Sequence, residues 1–158
     1  MVSLKWCCRQ NDGIKLIEPS DNLALSYIKM ADNALGTMDR ERKYNLTFAI
    51  SACYYSMYYS LYSVIMKIGI KCEIHACTLE FMKELLSEFY TKEDFKLISK
   101  AFDLRNIAQY YVDKVIDAKE ADFIMAKAPF FLASSKDILS KINEKDVLRL
   151  RDALNKIF

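Results

Sequence analysis

Apolar residues recur at helical spacing along most of this chain, and polar residues fill the positions between them. The pattern predicts six helices. Short polar or charged connectors separate them, and a capping residue precedes several of them. The predicted helices cover about residues 20–35, 44–68, 75–89, 91–111, 118–142 and 144–158. Residues 1–19 are expected to form a lead segment, and residues 20–158 a single helical bundle domain.

Three residues mark interruptions in this pattern. Gly36 and Gly69 are expected to end the first two helices, because glycine readily adopts the left-handed conformation that closes a helix. Pro129 is expected to kink the fifth helix or to break it near Ala128, since proline removes a backbone hydrogen bond. The sequence contains 3 glycines and 2 prolines, which disfavours a fold made of many tight turns. The predicted class is all-α, an up-and-down bundle of four to five helices with a C-terminal helix.

The second predicted helix carries no charged residue from Tyr44 to Met66, a stretch of about 35 Å. That length would reach across a bilayer, but five clustered tyrosines would place too many hydroxyl groups in lipid. We therefore expect no membrane span, and instead a central helix that protein surrounds. This helix has three faces. The aliphatic face consists of Ile50, Met57, Leu61 and Val64, and the tyrosine-rich face of Tyr54, Tyr55, Tyr58, Tyr59 and Tyr62. The face of small side chains consists of Ser56, Ser60 and Ser63. Since one neighbouring helix cannot cover three such faces, we expect a homodimer.

The net charge and the cysteine content limit the classes of function that this protein can have. The formal net charge of +2 is too small to attract nucleic acid over the whole surface, although a local patch is compatible with it. The five cysteines form no Cys-x-x-Cys pair, and the single His75 cannot complete a zinc site of ordinary spacing. We expect reduced thiols in a cytoplasmic protein without a metal or another cofactor. The first ten residues lack the pattern of a signal peptide.

Three short motifs have the order and spacing of a known family. They are the tyrosine-rich stretch 51–59, the stretch 73–75 that places His75 before the third helix, and the stretch 103–110 late in the fourth. Over about residues 20–140 the chain resembles the HEPN (higher eukaryote and prokaryote nucleotide-binding) domain family, in its small stand-alone prokaryotic branch. The resemblance implies a dimerising bundle. It also implies a metal-independent ribonuclease, a toxin paired with a nucleotidyltransferase antitoxin, or a non-catalytic binding module.

The ribonuclease branch of that family has an arginine and a histidine that are separated by four to six residues. Arg105 matches the arginine, but Tyr110, Tyr111 and Val112 occupy the stretch where the histidine belongs. Tyrosine titrates near about 10 and does not replace a proton-transfer group of near-neutral pKa. We therefore predict a non-catalytic binding or interaction module. The alternative is a metal-independent ribonuclease toxin that uses Arg105 with His75 or Tyr110.

The predicted binding residues lie together late in the fourth helix: Arg105, Asn106, Gln109, Tyr110 and Tyr111. Arg105 falls within an apolar stripe of that helix, so its charge requires a partner. One interpretation is an ion pair with a carboxylate on a neighbouring helix or on another subunit. The other is a phosphate of a nucleotide or RNA, bound in a groove of the dimer.

Three further interpretations stay open at this point. His75 near a helix start is expected to be neutral, and it either packs structurally or acts as a base. The tyrosine face either packs in the core or dimer interface or stacks on nucleic-acid bases. The predicted partners are a second copy of the chain and a nucleotidyltransferase, which in one alternative transfers a nucleotidyl group to Tyr110 or Tyr111.

Overall fold

The computed structural model describes residues 2–158, in which seven α-helices pack as a bundle beside one antiparallel strand pair. The helices are α1 (Leu4–Cys8), α2 (Asp21–Glu41), α3 (Leu46–Ile68), α4 (His75–Leu85), α5 (Lys92–Tyr110), α6 (Ala118–Lys141) and α7 (Glu144–Asn155). The strands are β1 (Lys15–Leu16) and β2 (Ile70–Lys71). The predicted all-α bundle is confirmed. Within these residues, no helix has the length and apolar character that crossing a membrane requires.

Side-chain caps explain where most of the helices begin. The side chains of Ser20, Asn45 and Asp117 accept backbone N–H groups in the first turns of α2, α3 and α6. Thr91 and Asn143 each form a reciprocal capping box with an aspartate three residues further on. Because capping is a local interaction, the predicted helix starts lie close to the observed ones.

Helix ends agree with the prediction at one glycine and disagree at the other. Among the described residues Gly69 is the one glycine with a positive φ, 80°, and it ends α3 as predicted. Gly36 lies inside α2, which continues to Glu41, so the prediction that Gly36 ends the helix is wrong. Continuing the helix buries Met38 in the core, and this packing outweighs the low helix propensity of one glycine.

Two other helix boundaries also differ from the prediction. Helix α6 continues through Pro129, so the predicted break near Ala128 is wrong. Ala128 and Phe131 are buried on either side of the proline, and this packing offsets the lost backbone hydrogen bond. Helix α4 ends at Leu85 and not at Phe89, because the chain then makes a hydrogen-bonded turn.

Helix α3 is the central element of the bundle, and α2, α5 and α6 pack around it. Its aliphatic face is buried along its length, and the serines of its small face are fully buried. Ser56 Oγ donates a hydrogen bond to the Ala31 carbonyl oxygen of α2 at 3.0 Å, so the two backbones approach closely there. Because a single chain already surrounds α3, the faces of this helix no longer argue for a dimer. Homodimerisation stays a prediction.

The lead segment packs against the bundle. A disulfide joins Cys7 of α1 to Cys77 of α4, whose Cα atoms lie 5.5 Å apart. Ile14 is fully buried, and the Ile17 N–H donates to the Gly69 carbonyl oxygen at 2.9 Å. The expectation of reduced thiols is therefore wrong for the two bonded cysteines, because the fold brings these distant positions together. The cysteines with free thiols are Cys8, Cys53 and Cys72.

The C-terminal helix α7 closes the end of α3. Arg151 Nη1 lies 2.7 Å from the carbonyl oxygens of Ile17 and Gly69 and 3.1 Å from that of Ile68. Carbonyl groups at the end of a helix have no partner within the helix itself. Arg151 therefore satisfies backbone acceptors where α3 ends and the lead segment passes over it.

Candidate functional site

Arg105 lies in the second half of α5, with its guanidinium against the tyrosine-rich face of α3. Its Nη2 donates to the Tyr55 hydroxyl at 2.8 Å, and its Nη1 donates to the Asn106 side-chain oxygen at 3.0 Å. Arg105 Nε is buried and has no hydrogen-bond partner within residues 2–158. A buried donor without an acceptor is uncommon in folded proteins and costs stability. This guanidinium therefore has hydrogen-bonding capacity that the fold does not use.

Aromatic rings, and not carboxylates, surround the Arg105 guanidinium. Its central carbon lies 5.9 Å from the ring centroid of Tyr54 and 5.4 Å from the centroids of Tyr55 and Tyr110, distances typical of cation–π contacts. No salt bridge among the described residues includes Arg105, so the predicted ion pair with a neighbouring helix is wrong for this part of the chain. Burial acts to lower the pKa of Arg105, but the Tyr55 hydrogen bond and the nearby tyrosines raise this pKa overall. The side chain therefore stays charged.

His75 is the first residue of α4 and is half-buried. Its Nδ1 lies 2.7 Å from the Tyr54 hydroxyl oxygen. Its ring stacks on Tyr58 with centroids 4.2 Å apart and planes 10° apart. Burial, and then the positive charge of Arg105, lower the pKa of His75 below its usual 6.5. The imidazole is therefore mostly neutral at pH 7, as the sequence predicts for a histidine at a helix N-terminus.

The structure brings Arg105 and His75 to the same group of aromatic rings. Tyr54 bonds the imidazole and contacts the guanidinium through its ring. Tyr55 bonds the guanidinium and meets the imidazole edge-on, with centroids 6.2 Å apart. A charged guanidinium and a neutral imidazole that share these neighbours can bind an anion and can donate or accept a proton. We use the term tyrosine cluster for Tyr54, Tyr55, Tyr58, Tyr59 and Tyr62.

Two other predicted binding residues lie beside Arg105 on α5. Asn106 accepts the hydrogen bond from Arg105 Nη1, and so it orients one edge of the guanidinium. Gln109 Nε2 donates to the Ser51 hydroxyl of α3 at 3.2 Å. Both side chains are held by side-chain partners, which a bound ligand can replace without breaking a helix.

The two predicted tyrosines at the end of α5 occupy different surroundings. Tyr110 is 66% exposed, and its ring lies against the Arg105 guanidinium. Tyr111 follows the last residue of α5, and Lys114 Nζ lies 4.0 Å from its ring centroid. Among the described residues, no hydrogen bond or cation–π contact joins Tyr111 to Arg105. Tyr110 therefore lies beside Arg105, whereas the ring of Tyr111 contacts the ammonium group of Lys114.

Most of the tyrosine cluster has its hydroxyl groups satisfied inside the protein. The Tyr62 hydroxyl donates to the Cys72 carbonyl oxygen at 2.9 Å, and the Tyr58 hydroxyl lies 3.4 Å from the Thr78 hydroxyl. Tyr54, Tyr58 and Tyr62 are buried, so these rings pack in the core, whereas Tyr55 and Tyr59 are half-buried. Sequence reasoning missed Tyr54 and Tyr55 as neighbours of Arg105. Their position on the tyrosine face was the one signal that pointed to them.

The residues around His75 do not provide a set of metal ligands. Cys77 is bonded to Cys7, so the Cys72, His75 and Cys77 stretch offers at most two ligands. Within residues 2–158, no group of three or more histidine, cysteine or acidic side chains is arranged to hold a metal ion.

Comparison with known proteins gives one informative similarity. A curated protein of Methanocaldococcus jannaschii named "Putative toxin MJ0142" is 31% identical to this chain over 98 residues, which cover 61% of the chain and 67% of that protein. The chain is a distant homologue of this archaeal protein and belongs to the same family as it. No protein-family model matches the chain.

Proposed function

We propose that this chain is a metal-independent ribonuclease toxin of a toxin–antitoxin pair, in which Arg105 and His75 act on the RNA phosphate. This proposal rests on one observation: the side chains of Arg105 and His75 both contact Tyr54 and Tyr55. The homology to the protein named "Putative toxin MJ0142" supports it from an independent direction. The prediction of a non-catalytic module rested on the missing histidine after Arg105, and His75 offers an imidazole from α4 in its place.

The chemistry of the site fits cleavage of a phosphodiester without a metal. When the 2′-oxygen of RNA attacks phosphorus, the bond to the 5′-oxygen breaks, one proton leaves the 2′-hydroxyl and one proton arrives at the 5′-oxygen. The reaction needs donors that stabilise charge on the phosphate and a group that titrates near neutral pH. Arg105 supplies donors in a planar fork that suits phosphate oxygens. His75 is the single histidine of the sequence and supplies an imidazole, which transfers a proton or donates a hydrogen bond to the phosphate according to its tautomer.

The resemblance to HEPN proteins extends the proposal to partners. A nucleotidyltransferase is the proposed antitoxin, and a second copy of the chain is the proposed dimer partner. A gene for a small nucleotidyltransferase next to the gene for this chain would favour the first. Light scattering at micromolar concentration tests the second, since a monomer would contradict it.

Purified protein incubated with mixed RNA in the presence of a metal chelator tests the ribonuclease directly. We expect cleavage by the wild type, and at least about 100-fold slower cleavage by His75→Ala, because acid–base groups commonly contribute that much. Expression of the wild type is expected to arrest growth, and His75→Ala to relieve the arrest.

The control is His75→Gln, which keeps a hydrogen-bonding side chain of similar size but does not titrate. It separates loss of the imidazole from loss of packing against Tyr58. If the wild type leaves RNA intact, or if wild type and both variants cleave equally, the ribonuclease proposal is wrong. If the protein in that case is folded and binds RNA, it is a non-catalytic binding module.

A further inference from the structure

The hydroxyl of Tyr54 has a single hydrogen-bond partner. The residue is 0% exposed, and within the described residues His75 Nδ1, at 2.7 Å, is the one atom that its oxygen bonds. Such a bond runs in either direction: the hydroxyl donates to a bare Nδ1, or it accepts from a protonated one. The direction decides which nitrogen of the neutral imidazole carries the proton.

Burial of Tyr54 decides between the two directions. If Nδ1 carried the proton, the hydroxyl would accept that proton, and its own O–H would have no acceptor in the core. Folded proteins rarely leave a buried donor unsatisfied. Burial also raises the pKa of Tyr54 well above its usual 10.0, so the hydroxyl keeps its proton. The hydroxyl therefore donates to Nδ1, and the imidazole proton resides on Nε2.

We propose that Tyr54 is a positioning residue that holds neutral His75 in the tautomer with its proton on Nε2. Tyr58 stacks on the imidazole at 4.2 Å and fixes the plane of the ring, while Tyr54 fixes its rotation within that plane. His75 Nε2 is not among the buried unpartnered atoms of residues 2–158, so this nitrogen is not sealed in the core without a hydrogen-bond partner. The site then holds an imidazole N–H at the same tyrosine rings that the Arg105 guanidinium contacts.

The consequence for catalysis rests on the proposed ribonuclease function, whereas the tautomer itself does not. A neutral imidazole with its proton on Nε2 donates a hydrogen bond to a phosphate oxygen, and it does not accept a proton at that atom. His75 then acts with Arg105 on the charge that develops on the phosphate of an RNA phosphodiester, while water takes the proton of the 2′-hydroxyl and supplies the proton of the 5′-oxygen. Tyr54 selects this role without touching the RNA.

Nitrogen-15 NMR of the free protein, prepared without a histidine tag, tests the tautomer. His75 is the only histidine in the sequence, so its two ring nitrogens give the only imidazole signals. At about pH 8.5 a histidine with a pKa below 6.5 is neutral. We expect the proton on Nε2 in the wild type. In Tyr54→Phe we expect the ratio of the Nε2–H to the Nδ1–H tautomer to fall roughly three- to tenfold, as loss of one hydrogen bond predicts.

Tyr58→Phe is the matched control, because Tyr58 stacks on His75 but its hydroxyl faces Thr78. This variant removes a tyrosine hydroxyl from the same ring stack without removing a bond to the imidazole, so its tautomer ratio should match the wild type. The Nδ1–H tautomer as the main species of the wild type would overturn the proposal. So would an unchanged ratio in Tyr54→Phe. The wild-type measurement decides the question even if a variant fails to fold.

Kinetics on RNA separate this proposal from the proposed function. Tyr54→Phe is expected to lower kcat by roughly the same three- to tenfold as the tautomer ratio, with KM unchanged, because Tyr54 acts on His75 and not on the substrate. If the wild type does not cleave RNA, the ribonuclease proposal fails, and the NMR result still decides the role of Tyr54. A KM that changes with an unchanged kcat would contradict positioning.

Discussion

Arg105 and Arg151 are both partly buried arginines that contact α3, yet their surroundings differ in kind. Arg151 directs one nitrogen at three backbone carbonyl oxygens, those of Ile17, Ile68 and Gly69. Arg105 donates to two side chains, Tyr55 and Asn106, lies against tyrosine rings and keeps a buried Nε without a partner. One arginine completes the backbone bonding of the fold, and the other does not.

The difference separates a structural arginine from one that is available to a ligand. Backbone carbonyls at a helix end have fixed positions, so a cation that satisfies them contributes to stability. Side-chain partners can rotate and give way to a phosphate, and an unpartnered donor gains a bond when an anion arrives. Arg105 therefore has the properties of a binding residue, and Arg151 those of a structural one. The same substitution at the two positions tests this distinction.

The largest effect is expected from Arg105→Met in the RNA cleavage assay. Methionine fills a similar volume without charge or donors, so we expect the rate to fall roughly 10²- to 10³-fold, as for removal of a transition-state donor. The free energy of unfolding should change by less than about 1 kcal/mol, because loss of the hydrogen bonds to Tyr55 and Asn106 is offset by removal of the unpartnered buried Nε. Urea unfolding of the same preparation measures the second quantity.

Arg151→Met should show the opposite behaviour, with a smaller effect. Removing this guanidinium takes a donor from three carbonyl groups, of which only that of Gly69 keeps the Ile17 N–H, and we expect a loss of about 2–3 kcal/mol in the free energy of unfolding. The folded fraction should cleave RNA at the wild-type rate. If both variants lose the same stability, or if Arg151→Met abolishes cleavage in folded protein, the distinction between the two arginines is wrong.

The smallest expected effect is on the pKa of His75. Arg105 lies close enough to His75 to shift this pKa, and Arg151 is not among the causes of its shift. The positive charge of Arg105 disfavours the imidazolium, so Arg105→Met should raise the pKa of His75. The pKa should stay below 6.5, because burial is the larger cause of its lowering. Arg151→Met should leave the pKa as it is in the wild type. NMR titration of the single histidine measures all three proteins, and a lower pKa in Arg105→Met would contradict the assigned neighbourhood.

Sequence reasoning predicted the fold more successfully than it predicted the site. The all-α class, the central position of α3 and most helix starts followed from periodicity and capping residues, which act over a few positions. The helix end expected at Gly36 and the break expected near Pro129 were wrong, because local propensity favoured helix ends there, whereas the kink expected as the alternative at Pro129 stays a prediction. Packing of the surrounding residues in α2 and α6 outweighs that propensity.

The sequence alone established that Arg105 is a charge within an apolar stripe and that His75 begins a helix. Those properties depend on residues within one or two turns. Tertiary structure decided that the two side chains share Tyr54 and Tyr55, that Cys7 meets Cys77 and that Arg105 has no carboxylate partner among the described residues. Such contacts depend on how α3, α4 and α5 cross, and spacing along one helix carries no information about its crossing angle with another.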